Sequence, residues 1–154
     1  MTEEFKKIGF DIYKPSKNEQ AGAAAQFAFS PEKRSVFLSL ARQKGEKLAP
    51  GVSGNQFDWE NKIIVKLDET DLGKFLAVFE NRIPSFDTVH TSQDKTRMTS
   101  IKFQKQTGEY TNFMLQVLKK EGEDRKDVRI FIDHHEASVL SRFLAEAVLR
   151  ACGF

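Results

Sequence analysis

The sequence has very little cysteine, and this scarcity excludes two kinds of protein. Cys152 is its only cysteine and stands near the end of the 154 residues, so neither an intramolecular disulfide nor a cysteine-rich zinc site can form. Long hydrophobic runs are also missing, since no apolar segment approaches the roughly 20 residues that a transmembrane helix needs. The acidic opening Met1-Thr2-Glu3-Glu4 is unlike a signal or transit peptide. We therefore expect a cytoplasmic protein with no membrane contact.

Charge of one sign is equally scarce, because the formal net charge at pH 7 is only +2. Dedicated polyanion binders often carry far more, so the distribution of the charges matters more than their sum. The sequence also has no glycine-rich phosphate loop, no nucleophile elbow and no Ser/His/Asp set at a recognisable spacing. It therefore predicts no enzyme, no catalytic residue and no cofactor.

Phenylalanine, in contrast, is abundant. The chain has 14 Phe against 2 Tyr and 1 Trp, with 40% hydrophobic and 30% charged residues overall. This composition is typical of a globular protein, and the length suits a single domain over residues 1–154. Most of the Phe side chains are expected in the core, although a Phe-rich β-protein also has material for stacking unpaired bases.

Two-residue alternation predicts strands in the first half, over residues 8–14, 23–30, 34–43 and 57–67. A turn at residues 31–33 makes a hairpin of the middle two, and residues 45–56 read as a surface loop. In the last strand Trp59 and Ile63 are expected to point inward. Asp68 can then cap a helix whose apolar stripe includes Leu72 and Phe75, and Pro84 lies beyond its end.

The second half predicts the same order again, with strands over residues 86–91, 98–106, 110–120 and 128–133. Residues 107–109 read as a hairpin turn and residues 121–127 as a charged loop. Asp133 and Glu136 resemble a capping box at the start of a closing helix. That helix is too widely apolar for one sheet to cover, which predicts a helix-to-helix interface between protomers. The predicted interface residues are Leu140, Phe143, Leu144 and Val148.

Several segments resemble the Whirly family. Phe57-Asp58-Trp59-Glu60-Asn61-Lys62, followed by the segment from Lys66 to Gly73, is similar to the family's aromatic-Asp-Trp, Lys and Ser/Thr-Glu-x-Gly pattern. The run from Tyr110 to Val117 resembles the family's Phe-x-Leu-x-Val strand. The ending Leu149-Arg150-Ala151-Cys152-Gly153-Phe154 is similar to its closing Leu-Gly-Trp. The resemblance covers most of the chain, from Ile8 to Phe154.

The resemblance implies an α+β fold with two four-stranded antiparallel sheets, each followed by a helix. It also implies a homotetramer that binds single-stranded DNA with little sequence preference and acts in DNA maintenance, recombination, repair or transcription. Guide-RNA-binding relatives of the same superfamily keep RNA open as the ligand. The family's Lys-Gly-Lys-Ala-Ala-Leu block is interrupted here, because an insertion through Gln20 follows Tyr13-Lys14 and only Ala23-Ala24-Ala25-Gln26-Phe27 resembles its second part. Whether tetramers assemble further is therefore left open.

Single strands are held by cations along the phosphates and by aromatic faces on which bases stack. Mixed basic, amide and aromatic sheet faces suit such contacts, although antiparallel sheets also expose ordinary solvated faces. For three residues the sequence leaves a specific alternative to contact with nucleic acid. Trp59 can anchor the core, Phe37 can cover a subunit interface, and Lys14 can be a solvated strand-end lysine. The predicted binding residues are Tyr13, Lys14, Phe37, Trp59, Lys62, Lys66, Lys102, Gln104, Tyr110, Asn112 and Gln116.

Asp133-His134-His135-Glu136 is the one cluster that suggests a metal. Adjacent histidines on a helix point about 100° apart, and the two carboxylates have a capping role, so we expect no metal. The sequence thus predicts a single-stranded DNA-binding protein. An RNA-binding chaperone of the guide-RNA type and a protein-interaction module that binds no nucleic acid are the alternatives.

Overall fold

The structure is a computed structural model that describes residues 8–17, 21–44, 57–107 and 112–153. Four strands and a helix are followed by four more strands and a second helix, which confirms the predicted fold class. The elements are β1 (Gly9–Lys14), β2 (Ala23–Ser30), β3 (Ser35–Arg42), a 3-10 turn (Trp59–Asn61), β4 (Ile63–Leu67), α1 (Glu69–Phe79), β5 (Ser85–Thr91), β6 (Arg97–Lys105), β7 (Phe113–Glu121), β8 (Asp124–Ile132) and α2 (His134–Ala151).

Each sheet is antiparallel and keeps its strands in chain order, β1 to β4 and β5 to β8. Because side chains alternate between the two faces of a strand, the register sorts them into inner and outer rows. One inner row of the first sheet is Ile12, Ala25, Leu40 and Ile63, and one inner row of the second is Phe86, Phe103, Leu115 and Ile130. All eight side chains are buried.

The inner faces of both sheets contribute to one continuous hydrophobic core together with α1 and α2. Phe75 of α1 illustrates the arrangement. Its ring lies 6.5 Å from the ring of Phe27 in the first sheet, and 5.0 and 4.8 Å from the rings of Phe86 and Phe103 in the second. One helix therefore packs on both sheets. No helix within the described part of the chain is long and apolar enough to cross a membrane.

Both predicted helix starts are confirmed. The Asp71 backbone N–H donates to Asp68 Oδ1 at 2.9 Å, and the Asp68 N–H donates to Asp71 Oδ2 at 3.2 Å. At the start of α2 the Asp133 N–H donates to Glu136 Oε1 at 3.0 Å. These bonds satisfy backbone donors that have no partner inside the helix.

The fourth strand begins later than predicted, at Ile63 instead of Phe57. Phe57 makes only an isolated bridge with Gln43, and the chain then turns, with the Asn61 N–H donating to the carbonyl of Asp58 at 3.3 Å. The Asn61 side chain also donates to Asp58 Oδ2 at 2.9 Å. Because this local turn interrupts the alternation, Trp59 does not point inward beside Ile63, and that prediction was wrong.

The charged segment 121–127 is mostly strand and not the loop that was predicted. β7 runs to Glu121 and β8 begins at Asp124, so only Gly122 and Glu123 form the turn. Gly122 has a φ of 62°, which suits a two-residue hairpin turn. The charged side chains there are mostly exposed, so charge is compatible with strand. The predicted turn at 107–109 lies partly outside the described residues.

Candidate nucleic-acid interface

Three aromatic side chains gather on the outer face of the first sheet. Phe57 packs over Ala24 and Ala41, which lie opposite each other on β2 and β3 and leave room for its ring. The ring of Tyr13 lies 5.9 Å from that of Phe57, and the ring of Trp59 lies 6.5 Å from it on a T-shaped contact. We call Tyr13, Phe57 and Trp59 the aromatic platform. Tyr13 is 50% exposed, Trp59 is half-buried and Phe57 is buried beneath them.

Cations and a further aromatic ring lie on the same face. Phe37 of β3 is opposite Lys66 of β4 in the register, and Lys33 Nζ lies 6.0 Å from the Phe37 ring centroid. Phe37 is half-buried, whereas Lys62 and Lys66 are exposed. The outer face of the first sheet thus brings together five of the predicted residues, which are Tyr13, Phe37, Trp59, Lys62 and Lys66.

The outer face of the second sheet is more polar. Lys102 is exposed and is flanked in the register by Asp87 and Gln116. The Gln116 amide donates to Asp127 Oδ1 at 3.2 Å, so this predicted contact already has a partner within the chain. Gln104 is half-buried on the same face and donates to Gln106 Oε1 at 3.4 Å.

Two further predicted residues belong to the connection before β7. Asn112 is half-buried, and its carbonyl accepts from the Gln106 N–H at 2.7 Å. Tyr110 lies outside the described residues. The second sheet therefore places Lys102, Gln104 and Gln116 on one face, separate from the aromatic platform.

A cleft of about 290 Å³ lies between β4 and the ends of β5, β6 and β7. Its basic side chains are Lys66, His90, Arg97 and Lys119, and we call this cleft the basic groove. Sequence reasoning missed His90, Arg97 and Lys119 as candidates. One signal in the sequence could have identified Lys119. It continues the inward-facing series of Phe113, Leu115 and Val117, but it lies beyond the buried part of the strand. A lysine that faces inward there needs an anion or solvent as a partner.

The back of the basic groove touches the capping box of α1. His90 Nε2 lies 3.3 Å from Asp71 Oδ2, and this buried nitrogen makes no hydrogen bond to the described residues. Asp71 is 4% exposed, and this burial raises the pKa of its carboxyl group above the ordinary value. Asp71 is thus turned toward the helix start and the interior, and it is not among the residues that line the groove.

Lys14 is on the inner-facing side of β1, opposite to Tyr13, and contacts the start of α2. Its Nζ lies 2.6 Å from Asp133 Oδ2 and also contacts Glu136 Oε1. Burial alone would lower the pKa of Lys14, but the hydrogen bonds to Asp133 and Glu136 outweigh it and raise the pKa. The hydrogen bond from Lys14 lowers the pKa of Asp133. The sequence left two roles open for Lys14, a phosphate contact and a solvated lysine. In the structure Lys14 instead forms an ion pair within the chain, and a phosphate contact would require that ion pair to break.

The only possible metal-binding group that the described residues form is Asp133, His135 and Glu136, whose ligand atoms lie within 4.8 Å of one another. The ammonium group of Lys14 contacts both of these carboxylates. The single positive charge of Lys14 therefore offsets part of their negative charge, and a metal ion at this group would have to compete with that ammonium group for the same oxygens.

The predicted interface residues of α2 do not share one environment. Leu140 and Leu144 are fully buried in the core of the chain itself, so they have no surface to offer to a second protomer, and their assignment to an interface was wrong. Phe143 and Val148 are half-buried against the same core. The reason is that α2 packs on α1 as well as on the sheets, which covers more of its apolar stripe than one sheet would.

The architecture of two such sheets, each followed by a helix, is that of the Whirly fold, and the chain has this fold. WHY1 from Arabidopsis thaliana superposes with a TM-score of 0.72 at 16% identity, over 98% of this chain and 94% of that one. A guide-RNA-binding protein complex bound to its RNA gives 0.72 at 20% identity, over 97% and 95%. The plant transcriptional regulator PBF-2 gives 0.72 at 18%, over 98% and 85%. By sequence, no protein-family model and no curated protein matches the chain significantly.

Proposed function

We propose that this chain binds single-stranded nucleic acid with little sequence preference, with single-stranded DNA as the ligand. The observation that carries the proposal is the aromatic platform, formed by Tyr13, Phe57 and Trp59 on a sheet face that also carries exposed lysines. Stacking on aromatic rings tolerates every base, and lysines attract phosphates without reading sequence. The guide-RNA-binding complex and the plant transcriptional regulator among the structural neighbours support a nucleic-acid partner.

Fluorescence anisotropy with a labelled oligothymidine of about 15 nucleotides tests this proposal. We expect binding that weakens steeply as salt rises, and much weaker binding of a duplex of the same length, whose bases are not free to stack. Equal, negligible binding of both oligomers would contradict the proposal and would favour the protein-interaction module.

RNA is the second candidate ligand, and one observation favours it. The guide-RNA-binding complex is as similar in structure as WHY1 and slightly more similar in sequence, at 20% against 16% identity. Competition between RNA and DNA oligomers of the same sequence separates the two ligands. A preference for RNA would move the proposal to an RNA chaperone without changing the surface that binds.

The proposal includes a homo-oligomer, expected as a tetramer, that uses the exposed side of α2. Val139 and Leu149 support it, because they are 52% and 50% exposed although both are large and apolar. Light scattering of the purified protein measures the number of chains. A mass equal to one chain at micromolar concentration would contradict this part of the proposal.

A further inference from the structure

The basic groove brings together four basic side chains, and among the described residues only His90 lies within ion-pair distance of a carboxylate, that of Asp71. Lys66, Arg97 and Lys119 make no ion pair within the described part of the chain, and no acidic residue lines the groove. Like charges placed together repel, so such a cluster is stabilised by an anion that binds between them. The hydroxyl group of Thr99 adds an uncharged hydrogen-bond donor to the same wall.

The turn before β6 fixes the position of Arg97. Asp94 Oδ1 accepts from the Ser92 hydroxyl at 2.6 Å and from the Thr96 hydroxyl at 2.8 Å, and the Arg97 N–H donates to Ser92 Oγ at 3.1 Å. These hydrogen bonds lower the pKa of Asp94 to about 2. Asp94 attracts Arg97 electrostatically but does not line the groove. The turn thus holds the backbone of Arg97 in place while its side chain stays exposed.

The groove is continuous with the outer face of the first sheet. β4 is an edge strand of that sheet, and its residues Ile64 and Lys66 belong both to the outer face and to the wall of the groove. Lys66 lies opposite Phe37, so an anion near Lys66 is next to an aromatic ring on one side and to Arg97 and Lys119 on the other. A ligand that extends from the outer face across β4 therefore contacts the aromatic ring on that face and then the cations of the basic groove.

We propose that the basic groove binds phosphate groups of a polynucleotide strand whose bases stack on the outer face of the first sheet, the strand crossing the edge at β4. This inference rests on the proposed function and adds the orientation of the bound strand. The bases lie on the side of the aromatic platform, and the sugar-phosphate backbone enters the basic groove. Phosphodiester groups fit, because they repeat along the chain, carry one charge each and accept hydrogen bonds from lysine, arginine and hydroxyl groups.

The test compares two double variants that remove the same charge. Arg97→Gln with Lys119→Gln, the groove variant, changes the groove. Arg82→Gln with Arg150→Gln, the helix variant, changes two exposed arginines at or just beyond the C-terminal ends of α1 and α2, where they pair with Glu80 and Glu146. Oligothymidine binding is measured by anisotropy between about 50 and 200 mM KCl, and the logarithm of the association constant is plotted against that of the salt concentration.

Each lost phosphate contact lowers the slope of that plot by about 0.7 for a single strand. We expect the groove variant to lose about 1.4 from the slope and to bind about 25-fold more weakly near 0.1 M salt. The helix variant should keep the slope of the wild type. Replacing Lys119 with Arg should also keep it, because the charge remains.

Equal slopes and affinities for the groove and helix variants would overturn the inference while leaving the proposed function intact. Failure of the wild type to bind any single strand would instead overturn the proposed function itself. A thermal melt by circular dichroism checks folding. Should the double variant unfold, Arg97→Gln alone, at an exposed side chain, must still lower the slope by about 0.7.

Discussion

Lys14 Nζ lies 2.6 Å from Asp133 Oδ2, which joins the end of the first strand to the start of the last helix across 119 residues of sequence. The same ammonium group contacts Glu136, whose carboxylate also accepts the Asp133 N–H at the helix start. One lysine thus organises both carboxylates at the beginning of α2. In this position Lys14 is a structural residue of the chain.

Replacing Lys14 with Met should lower the free energy of unfolding by at most about 1 kcal/mol, because Asp133 is too exposed for a large electrostatic gain. The salt dependence of oligonucleotide binding should not change. Urea denaturation measures the stability, and Arg150→Met, which removes the exposed Arg150–Glu146 pair, is the matched control. A lower salt slope in the Lys14 variant would show instead that this lysine contacts phosphate.

The same ion pair predicts how stability depends on pH. The pKa of Lys14 is raised, so its contribution is present below 10.5 and is lost as the pH rises through the higher value in the folded state. The pKa of Asp133 is lowered, so its contribution is present above 3.8 and is lost as the pH falls through the lower value in the folded state. The Lys14→Met variant lacks this ion pair, so its free energy of unfolding should fall less than that of the wild type at both high and low pH. Urea titrations across this pH range measure the difference.

Trp59→Ala should weaken the binding of single strands by about 1–3 kcal/mol, the usual contribution of one stacked base. The salt slope should stay that of the wild type, because no charge is removed. Trp59→Phe should restore most of the affinity, and Ile8→Ala, at an exposed apolar residue just before β1, is the control. Unchanged affinity in Trp59→Ala would mean that this ring only covers Phe57.

Two variants of α2 separate the core from the proposed interface. Val139→Lys with Leu149→Lys should reduce the mass measured by light scattering to that of one chain, because both residues are on the exposed side of the helix. Leu140→Ala should instead lower the stability by about 2–5 kcal/mol, since it creates a cavity in the core. An unchanged mass in the lysine variant would place any interface elsewhere.

Phe75→Ala should cost about 3–5 kcal/mol and should affect both sheets together. Its ring contacts Phe27 on one sheet and Phe86 and Phe103 on the other. We expect a single unfolding transition, with near- and far-ultraviolet circular dichroism changing at the same urea concentration. Two separate transitions would show that the halves unfold independently.

The sequence predicted the fold where a single local pattern decides the structure. Alternation identified β2 and β3 almost to the residue, and the spacing of Asp68 and Asp71 is the usual one at a helix start. The prediction of strands from the sequence failed where a local turn or a charged surface interrupts the alternation of apolar and polar residues. The turn at Asp58 and Asn61 interrupts an apparent strand, and the exposed charges before Val128 hide the first half of β8.

The candidate site was less predictable, because it depends on contacts between residues that are distant in the sequence. The cations Lys62, Lys66 and Lys102 could be assigned to outer faces from alternation alone. The partner of Lys14 could not be, since α2 follows more than a hundred residues later. The basic groove likewise exists only because β4 of one sheet lies beside β5 to β7 of the other, which no local pattern reports.

Among the described strands, β4 pairs on one side only, and this edge is also a hazard for solubility because a free strand edge can pair with the same edge of another molecule. β4 is short, at five residues, and carries Lys66 within it and Lys62 just before it. Short edges with outward lysines resist such pairing, since two copies would bring like charges together. These lysines therefore guard against aggregation whenever no ligand is present, and variants that neutralise both should precipitate more readily than the wild type.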